Sequence, residues 1–267
     1  MDAIMDVSQR FPELWFSGMA VLGLSVGSFL NVVIYRLPVN IVSAHPDSTA
    51  ISDLLYPPSH CTSCQSVLRW YDNLPLISWW VLKGKCRYCG QSVSWQYPLI
   101  EALSLMLCLF AGFLYPPGTA LTGLLIFSWL LLALSAIDVN TLLLPDTLTL
   151  TLLWTGLFFN LNGTFVALSD AVAGAMAGYM VLRLLCGLGE QMFRKTCMGY
   201  GDCKMAAGLA AWTGWQSLPV LLLIASLFGL VYIITARMRE KKTFDHPVPF
   251  GPALAAAGWL VLIDATC

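Results

Sequence analysis

The chain contains 267 residues, of which 58% are hydrophobic and only 11% are charged, whereas a soluble domain usually carries about a quarter charged residues. The apolar residues lie in long runs, and a run of about 18 or more apolar residues predicts a membrane span. The composition therefore excludes an ordinary soluble domain, and the formal net charge of −1 argues against a nucleic-acid-binding protein.

Apolar segments follow one another along the chain and predict an all-α polytopic membrane protein with about eight transmembrane helices. The predicted spans are roughly 14–34, 98–115, 119–137, 148–162, 165–188, 203–215, 218–236 and 250–264. Some of these are short for a full span, so we expect them to tilt, to be partly shielded, or to thin the bilayer.

The distribution of Lys and Arg predicts the orientation of the chain in the membrane. Basic residues lie in the first loop, before and at the end of the glycine-rich stretch 197–204 (Arg183, Arg194, Lys195 and Lys204), and after the seventh span. The turns near 116–118, 162–164 and 216–217 carry none. With eight spans, all basic loops fall on one side, with Arg10 as the exception. The positive-inside rule therefore predicts that this side faces the cytoplasm and that both termini lie outside.

The first loop, residues 36–97, is the one sizeable polar segment and is too small for a large core. It contains two Cys-x-x-Cys pairs, formed by Cys61 with Cys64 and by Cys86 with Cys89, at the spacing of a structural zinc site. Zinc would supply the stabilisation that such a loop lacks. Two disulfides or free thiols are the alternatives, and a cytoplasmic location disfavours disulfides. This four-cysteine loop is thus predicted to form a small cytoplasmic zinc-ribbon-like domain.

Two acidic residues, Asp138 and Asp202, differ from the acidic residues of the loops. Asp138 ends the third predicted span and Asp202 opens the sixth, so both lie at the cytoplasmic ends of their spans and can meet. Two carboxylates sharing a site cannot both ionise easily, so the pair would hold one proton near neutral pH. The ionised member could then activate water while the protonated member polarises a carbonyl. This is the chemistry of peptide hydrolysis without a covalent intermediate.

The glycines beside Asp202 and the remaining polar residues near the spans have separate interpretations. Gly199 and Gly201 permit positive φ and a close backbone approach around Asp202. The alternative for either aspartate is a helix cap or an interfacial charge. Asp146 is interpreted as an N-cap after Pro145. Glu101 is interpreted as a cap or a loop contact, and Asn31 as a helix–helix hydrogen-bonding residue.

Five segments taken together resemble the type IV prepilin peptidases, bacterial inner-membrane aspartic proteases with a Gly-x-Gly-Asp signature. The segments are 27–38 (GSFLNVVIYRLP), 57–101, which holds the four cysteines, 136–157 (AIDVNTLLLPDTLTLTLLWTGL), 198–215 (MGYGDCKMAAGLAAWTGW) and 248–259 (VPFGPALAAAGW). They occur in the order of the family and cover nearly the whole chain. The resemblance divides the chain into a first transmembrane segment (1–35), a cytoplasmic domain formed by the four-cysteine loop (36–97) and a membrane aspartic peptidase domain (98–267).

The resemblance implies cleavage of the basic leader peptide of prepilins or pseudopilins at the cytoplasmic face of the inner membrane. It also implies that the new N-terminus is methylated with S-adenosylmethionine. The catalytic pair carries over to Asp138 and Asp202, the zinc ligands to the four loop cysteines, and a role in methyl transfer to Gly84. Family members often have a second acidic residue two positions after the first aspartate. Here that position is Asn140, which cannot titrate, so Asp138 is favoured as the catalytic member.

Two other classes of function are consistent with parts of the pattern. A proton-coupled transporter also uses paired carboxylates in a membrane, although such groups usually lie near the midplane between repeated halves. A membrane-anchored zinc-ribbon scaffold would need the cysteines and neither aspartate. The ordered family motifs favour the peptidase over both.

Overall fold

The computed structural model describes residues 8, 10–43, 58–193, 199–240 and 248–265. They form nine α-helices, with a 3-10 turn at Trp70–Asn73 before α2 and another at Asn160–Asn162 after α5. The helices are α1 (Pro12–Ser43), α2 (Ile77–Val81), α3 (Gln96–Leu114), α4 (Thr119–Thr141), α5 (Asp146–Phe159), α6 (Leu168–Phe193), α7 (Tyr200–Thr213), α8 (Leu218–Glu240) and α9 (Gly251–Asp264). Within these residues the only β pairing is two isolated bridges, His60 with Val67 and Lys85 with Ser92. The predicted all-α class is confirmed.

The chain divides into two compact units, residues 1–125 and 126–267. In the first unit, α1 packs against α3 at very short range, because Gly23 and Gly27 present no side chain to it. A Cβ atom at Gly27 would lie 2.9 Å from the Cα atom of Glu101. Ser104 donates a hydrogen bond to the Gly23 carbonyl at 2.6 Å, and Asn31 donates one to the Tyr97 carbonyl at 3.1 Å. Because residue numbers rise along α1 as those of their partners fall along α3, the two helices are antiparallel.

In the second unit, α7 is the central helix. All of its residues from Asp202 to Thr213 are buried except Lys204, because α5, α6 and α9 pack around it. The contacts are short where small residues meet: a Cβ atom at Gly178 of α6 would lie 2.9 Å from the Ala206 carbonyl oxygen. At its C-terminal end, the indole of Trp212 is fully buried and donates a hydrogen bond to the Leu152 carbonyl of α5 at 2.8 Å.

Every predicted span corresponds to a helix, and five helices are long and apolar enough to cross a membrane. These are Pro12–Ile41, Gln96–Leu114, Thr119–Thr141, Leu168–Met192 and Leu218–Thr235. The helix α9 is shorter but apolar, and α5 and α7 have 14 residues each, or about 21 Å. The enclosure of α7 fits the expectation that short spans are shielded by protein. The count of eight spans and the three-part division at residues 35 and 97 stay predictions.

Candidate active site and metal centre

Asp138 lies in the last turn of α4, and its carboxylate is held by the start of α9. Its side chain is buried, with 5% of the residue exposed. The backbone N–H of Gly251 donates a hydrogen bond of 2.7 Å to Oδ2 of Asp138. Gly251 is the first residue of α9, and the first N–H groups of a helix have no partner within the helix. One of these free donors is therefore satisfied by Asp138.

Asp202 lies in the first turn of α7, directly behind the two glycines. Gly199 precedes the helix with extended backbone angles, and its carbonyl accepts a hydrogen bond from the Asp202 N–H at 3.2 Å. Asp202 is buried, with 9% exposed, and its carboxyl group interacts electrostatically with that of Asp138. The fold thus places two residues that lie 64 positions apart in the chain near enough for their charges to interact, and their joint catalytic role stays a prediction.

Two buried carboxyl groups within interaction distance can share a single proton. The repulsion between two charges in a poorly hydrated place favours one protonated and one ionised member. Such a pair can accept a proton from water and donate a proton to a carbonyl oxygen or a leaving amine. The nearest basic side chain along α7, Lys204, does not neutralise this pair, because its Nζ lies 2.6 Å from Oδ1 of Asp146.

Gly251 is a site residue that the sequence pattern did not predict. A Cβ atom at this position would lie 2.8 Å from Oδ2 of Asp138, so any larger residue would displace the carboxylate. The Phe-Gly-Pro sequence of residues 250–252 could have indicated this role. A proline in the first turn marks the start of a helix, where backbone N–H groups are free to bind a carboxylate. The family resemblance accounts for this stretch only as part of the last span.

The sequence was also interpreted at three other polar residues. One of these interpretations is wrong, and the other two agree with the structure. Asp146 is not an N-cap: it is the first residue of α5 after Pro145, which makes no side-chain cap, and its carboxylate pairs with Lys204. Glu101 makes the expected loop contact, accepting a hydrogen bond from the Leu76 N–H at 2.8 Å. Asn31 links two helices, as expected.

The four loop cysteines lie together as free thiols in two similar turns. All four Sγ atoms lie within 4.8 Å of one another, and those of Cys61 and Cys89 are 3.9 Å apart. In each pair the first cysteine carbonyl accepts a hydrogen bond from the residue after the second cysteine, Gln65 at 2.9 Å and Gly90 at 3.0 Å. Both of these residues have positive φ, 58° and 71°. Each pair therefore forms a tight knuckle that aims two sulfur atoms at a common point.

The chemistry of this cluster fits a tetrahedral divalent metal. A metal–sulfur distance of about 2.3 Å implies neighbouring sulfur atoms about 3.8 Å apart, close to the spacing present. Hydrogen bonds from the hydroxyl and the backbone N–H of Ser66 lower the pKa of Cys64 to about 6. The backbone N–H of Gln91 lowers the pKa of Cys89, but burial and the three other thiols outweigh it and raise that pKa to about 11. Four thiols this close together favour a cation among them, because a bound metal stabilises their thiolate forms.

Gly84 lies in the turn that leads into the second knuckle. Its φ is +67°, and a Cβ atom would lie 2.8 Å from the ring of Trp79. Its carbonyl accepts a hydrogen bond from the Val93 N–H at 2.8 Å. The Trp79 ring packs against that of Trp95, with ring centroids 4.1 Å apart. A glycine is therefore required at position 84 by both backbone conformation and packing.

Comparison with known proteins finds two family models that together match most of the chain. A family model described as the bacterial peptidase A24 N-terminal domain matches residues 21–115, and one described as the type IV leader peptidase family matches residues 125–234. These matches cover the four-cysteine loop and both aspartates, respectively.

Several curated relatives carry the name prepilin leader peptidase/N-methyltransferase. The chain is 50% identical to that of Pectobacterium carotovorum subsp. carotovorum, over 97% of this chain and 96% of the relative. It is 45% identical to that of Dickeya chrysanthemi, over 96% and 95%, and 41% identical to that of Aeromonas salmonicida, over 98% and 95%. No solved structure matches the chain. These similarities do not support the transporter alternative, and the chain belongs to the type IV leader peptidase family.

Proposed function

We propose that this protein removes the leader peptide from prepilins or pseudopilins and then methylates the new N-terminus. The relatives' names give both activities. The observation that carries the peptidase assignment is the buried, interacting pair of Asp138 and Asp202 at the ends of α4 and α7. That pair supplies the acid and the base that hydrolysis of a peptide bond requires.

In the proposed reaction, the ionised carboxyl group takes a proton from a water molecule while the water oxygen attacks the scissile carbonyl carbon. The protonated carboxyl group donates its proton to the carbonyl oxygen. Collapse of the tetrahedral intermediate breaks the C–N bond, and the leaving amine receives a proton from the pair. The Gly251 N–H keeps one oxygen of Asp138 fixed during these steps. Because a shared proton belongs to the pair, the two aspartates act as one unit.

The orientation of the site follows from the distribution of basic residues. The chain is a membrane protein, and its basic loops favour a cytoplasmic location for the four-cysteine loop and for the ends of α4 and α7 that carry the aspartates. A prepilin would place its apolar helix in the lipid beside the spans of the peptidase and keep its basic leader in the cytoplasm. The scissile bond would then lie at the inner face of the cytoplasmic membrane, level with the pair.

The four-cysteine loop would hold one structural zinc ion. Cys61, Cys64, Cys86 and Cys89 supply the four sulfur ligands, and the metal supplies a cross-link that closes the loop. S-adenosylmethionine would supply the methyl group. Gly84 is assigned to methyl transfer as a residue that supports the loop, because its contacts are to Trp79 and to backbone groups.

The test is leader cleavage by purified protein in liposomes, with a candidate prepilin and a labelled methyl donor. Asp138→Asn and Asp202→Asn should each lower the cleavage rate by at least about 100-fold, since general acid–base groups contribute about 10²–10⁴ to a rate. Asp264→Asn, which removes an exposed carboxylate at the end of α9, is the matched control and should cleave normally. Normal cleavage by either member of the pair would overturn the proposed mechanism.

A further inference from the structure

The connection between α4 and α5, together with the first residue of α5, contacts residues on both sides of Asp202 in α7. The connection begins four residues after Asp138. At Leu142 the backbone has a φ of +56°, and its N–H donates a hydrogen bond to the Asp138 carbonyl at 2.8 Å. The chain thus turns back directly from the residue that bears the first carboxylate and runs towards α7.

The first contact with α7 is made by Leu144. A Cβ atom at Gly201 would lie 2.7 Å from Cβ of Leu144, so the leucine packs directly on the backbone one residue before Asp202. Only glycine permits this approach. The contact fixes the distance between the connection and the start of α7 on one side of the carboxylate.

The second contact is the ion pair between Asp146 and Lys204. Oδ1 of Asp146, in the first turn of α5, lies 2.6 Å from Nζ of Lys204, which follows Asp202 by two residues. The two side chains are 61% and 33% exposed, respectively, and exposed pairs of this kind add little to folding stability. Lys204 is the one residue of α7 between Asp202 and Thr213 that is not buried. Its cation lies against Asp146 at the start of α5.

We propose that Asp146 and Lys204 are positioning residues for peptide hydrolysis, because their ion pair clamps the chain that leaves Asp138 to the turn that carries Asp202. This inference rests on the proposed function. Neither residue touches the reacting atoms. The clamp limits the relative movement of the two carboxyl groups, and proton transfer through a shared pair depends steeply on that spacing.

The inference predicts a defect in kcat that is repaired by exchange of the charges. Asp146→Asn and Lys204→Met should each lower kcat for leader cleavage about fivefold and leave KM unchanged. The double variant Asp146→Lys with Lys204→Asp should restore kcat to within about twofold of the wild type, because the pair forms again in reverse. Thermal unfolding in detergent is measured for each variant and should change little.

Asp170→Asn is the matched control. Asp170 is also in the first turn of an α-helix, α6, and its carboxylate accepts a hydrogen bond from Trp215 at 3.1 Å. Trp215 follows the C-terminal end of α7, about 18 Å or more from Asp202 along the helix. This variant should keep the wild-type kcat.

The possible outcomes distinguish a failure of the proposed clamp from a failure of the proposed function. If the wild type does not cleave prepilin, the proposed function fails. If the wild type cleaves and the two single variants match its kcat, the clamp is wrong. If the single variants are slow and the exchanged pair is equally slow or slower, Lys204 acts through its own charge on the substrate or the aspartates, and the clamp is wrong in that case also.

Discussion

In the four-cysteine loop three tryptophans lie on the surface, whereas in the helical bundle around the aspartates one tryptophan, Trp212, is completely enclosed. Trp70, Trp80 and Trp95 are 78%, 79% and 73% exposed, while Trp212 is fully buried. Trp212 has three aromatic neighbours with ring centroids 5.0–5.5 Å away. The bundle therefore has an apolar core of its own, and the loop has almost none.

This difference shows that the two sites depend on different interactions. Among the described residues of the loop, few are buried apart from Asp72, Gly84 and Cys86, so the loop has little apolar packing, and the proposed metal would supply much of its stability. The aspartate site is held by short contacts between helices, for example the approach of Gly178 to Ala206. Loss of metal should therefore affect the loop alone, and changes in side-chain volume should affect the bundle most.

The largest effect is expected when the metal is lost from the four-cysteine loop. Purified protein should contain one zinc per chain, and Cys86→Ser should abolish zinc binding, because a site with three sulfur ligands is open and weak. Structural zinc contributes about 10 kcal/mol to the folding of small domains, so the loop should become sensitive to protease. Metal content is measured by mass spectrometry and cleavage sites by peptide mapping.

Cys108→Ser provides the control for the metal experiment. Cys108 is buried in α3 and has no role in the metal site, so its replacement should leave the zinc content at one. A protein that holds no metal in either form, or a Cys86→Ser loop that resists protease as the wild type does, would contradict the assignment of a metal-dependent loop.

The second-largest effect is expected in the bundle, from the addition of a single methyl group. Gly251→Ala would place a Cβ atom 2.8 Å from Oδ2 of Asp138 and force the carboxylate or α9 to move. A displacement of about 1 Å in a catalytic group can lower a rate about 100-fold, and we expect a loss of this size in kcat for leader cleavage. Gly187→Ala, where the nearest atom to the new Cβ is 4.0 Å away, should cleave as the wild type does. Equal activity of the two variants would show that the Gly251 contact is dispensable.

The sequence predicted the fold class and the clustering of the four cysteines, and it singled out the two aspartates, because each of these depends on residue type and order; the catalytic role of the aspartates stays a prediction. Apolar runs identify helices, and Cys-x-x-Cys spacing identifies a knuckle without any knowledge of packing. The contacts of Gly251 and Asp146 depend instead on which helix ends meet in space. Asp146 after Pro145 has the local pattern of a cap, and only the position of Lys204 on a distant helix gives its carboxylate a different partner.

The third-largest effect is expected in the four-cysteine loop and should distinguish methyl transfer from leader cleavage. Gly84→Ala adds the cost of a left-handed conformation, about 1–2 kcal/mol, to the close approach to Trp79. We expect methyl transfer to fall about tenfold, the change that about 1.4 kcal/mol produces, with leader cleavage retained. In Gly90→Ala the φ of +71° is equally unfavourable, but no atom lies within 4 Å of the new Cβ. If both variants lose methyl transfer to the same degree, the contact with Trp79 is not the cause.

The smallest effect is expected in the core of the bundle. Trp212→Phe removes the 2.8 Å hydrogen bond to the Leu152 carbonyl but keeps an aromatic ring beside Phe127 and Phe159. A buried hydrogen bond contributes about 1 kcal/mol, so thermal stability in detergent should fall modestly while the cleavage rate at low temperature stays the same. Trp70→Phe, at an exposed position of the loop, should leave thermal stability unchanged. A larger loss in the loop variant than in the bundle variant would reverse the contrast between a metal-dependent loop and a packed bundle.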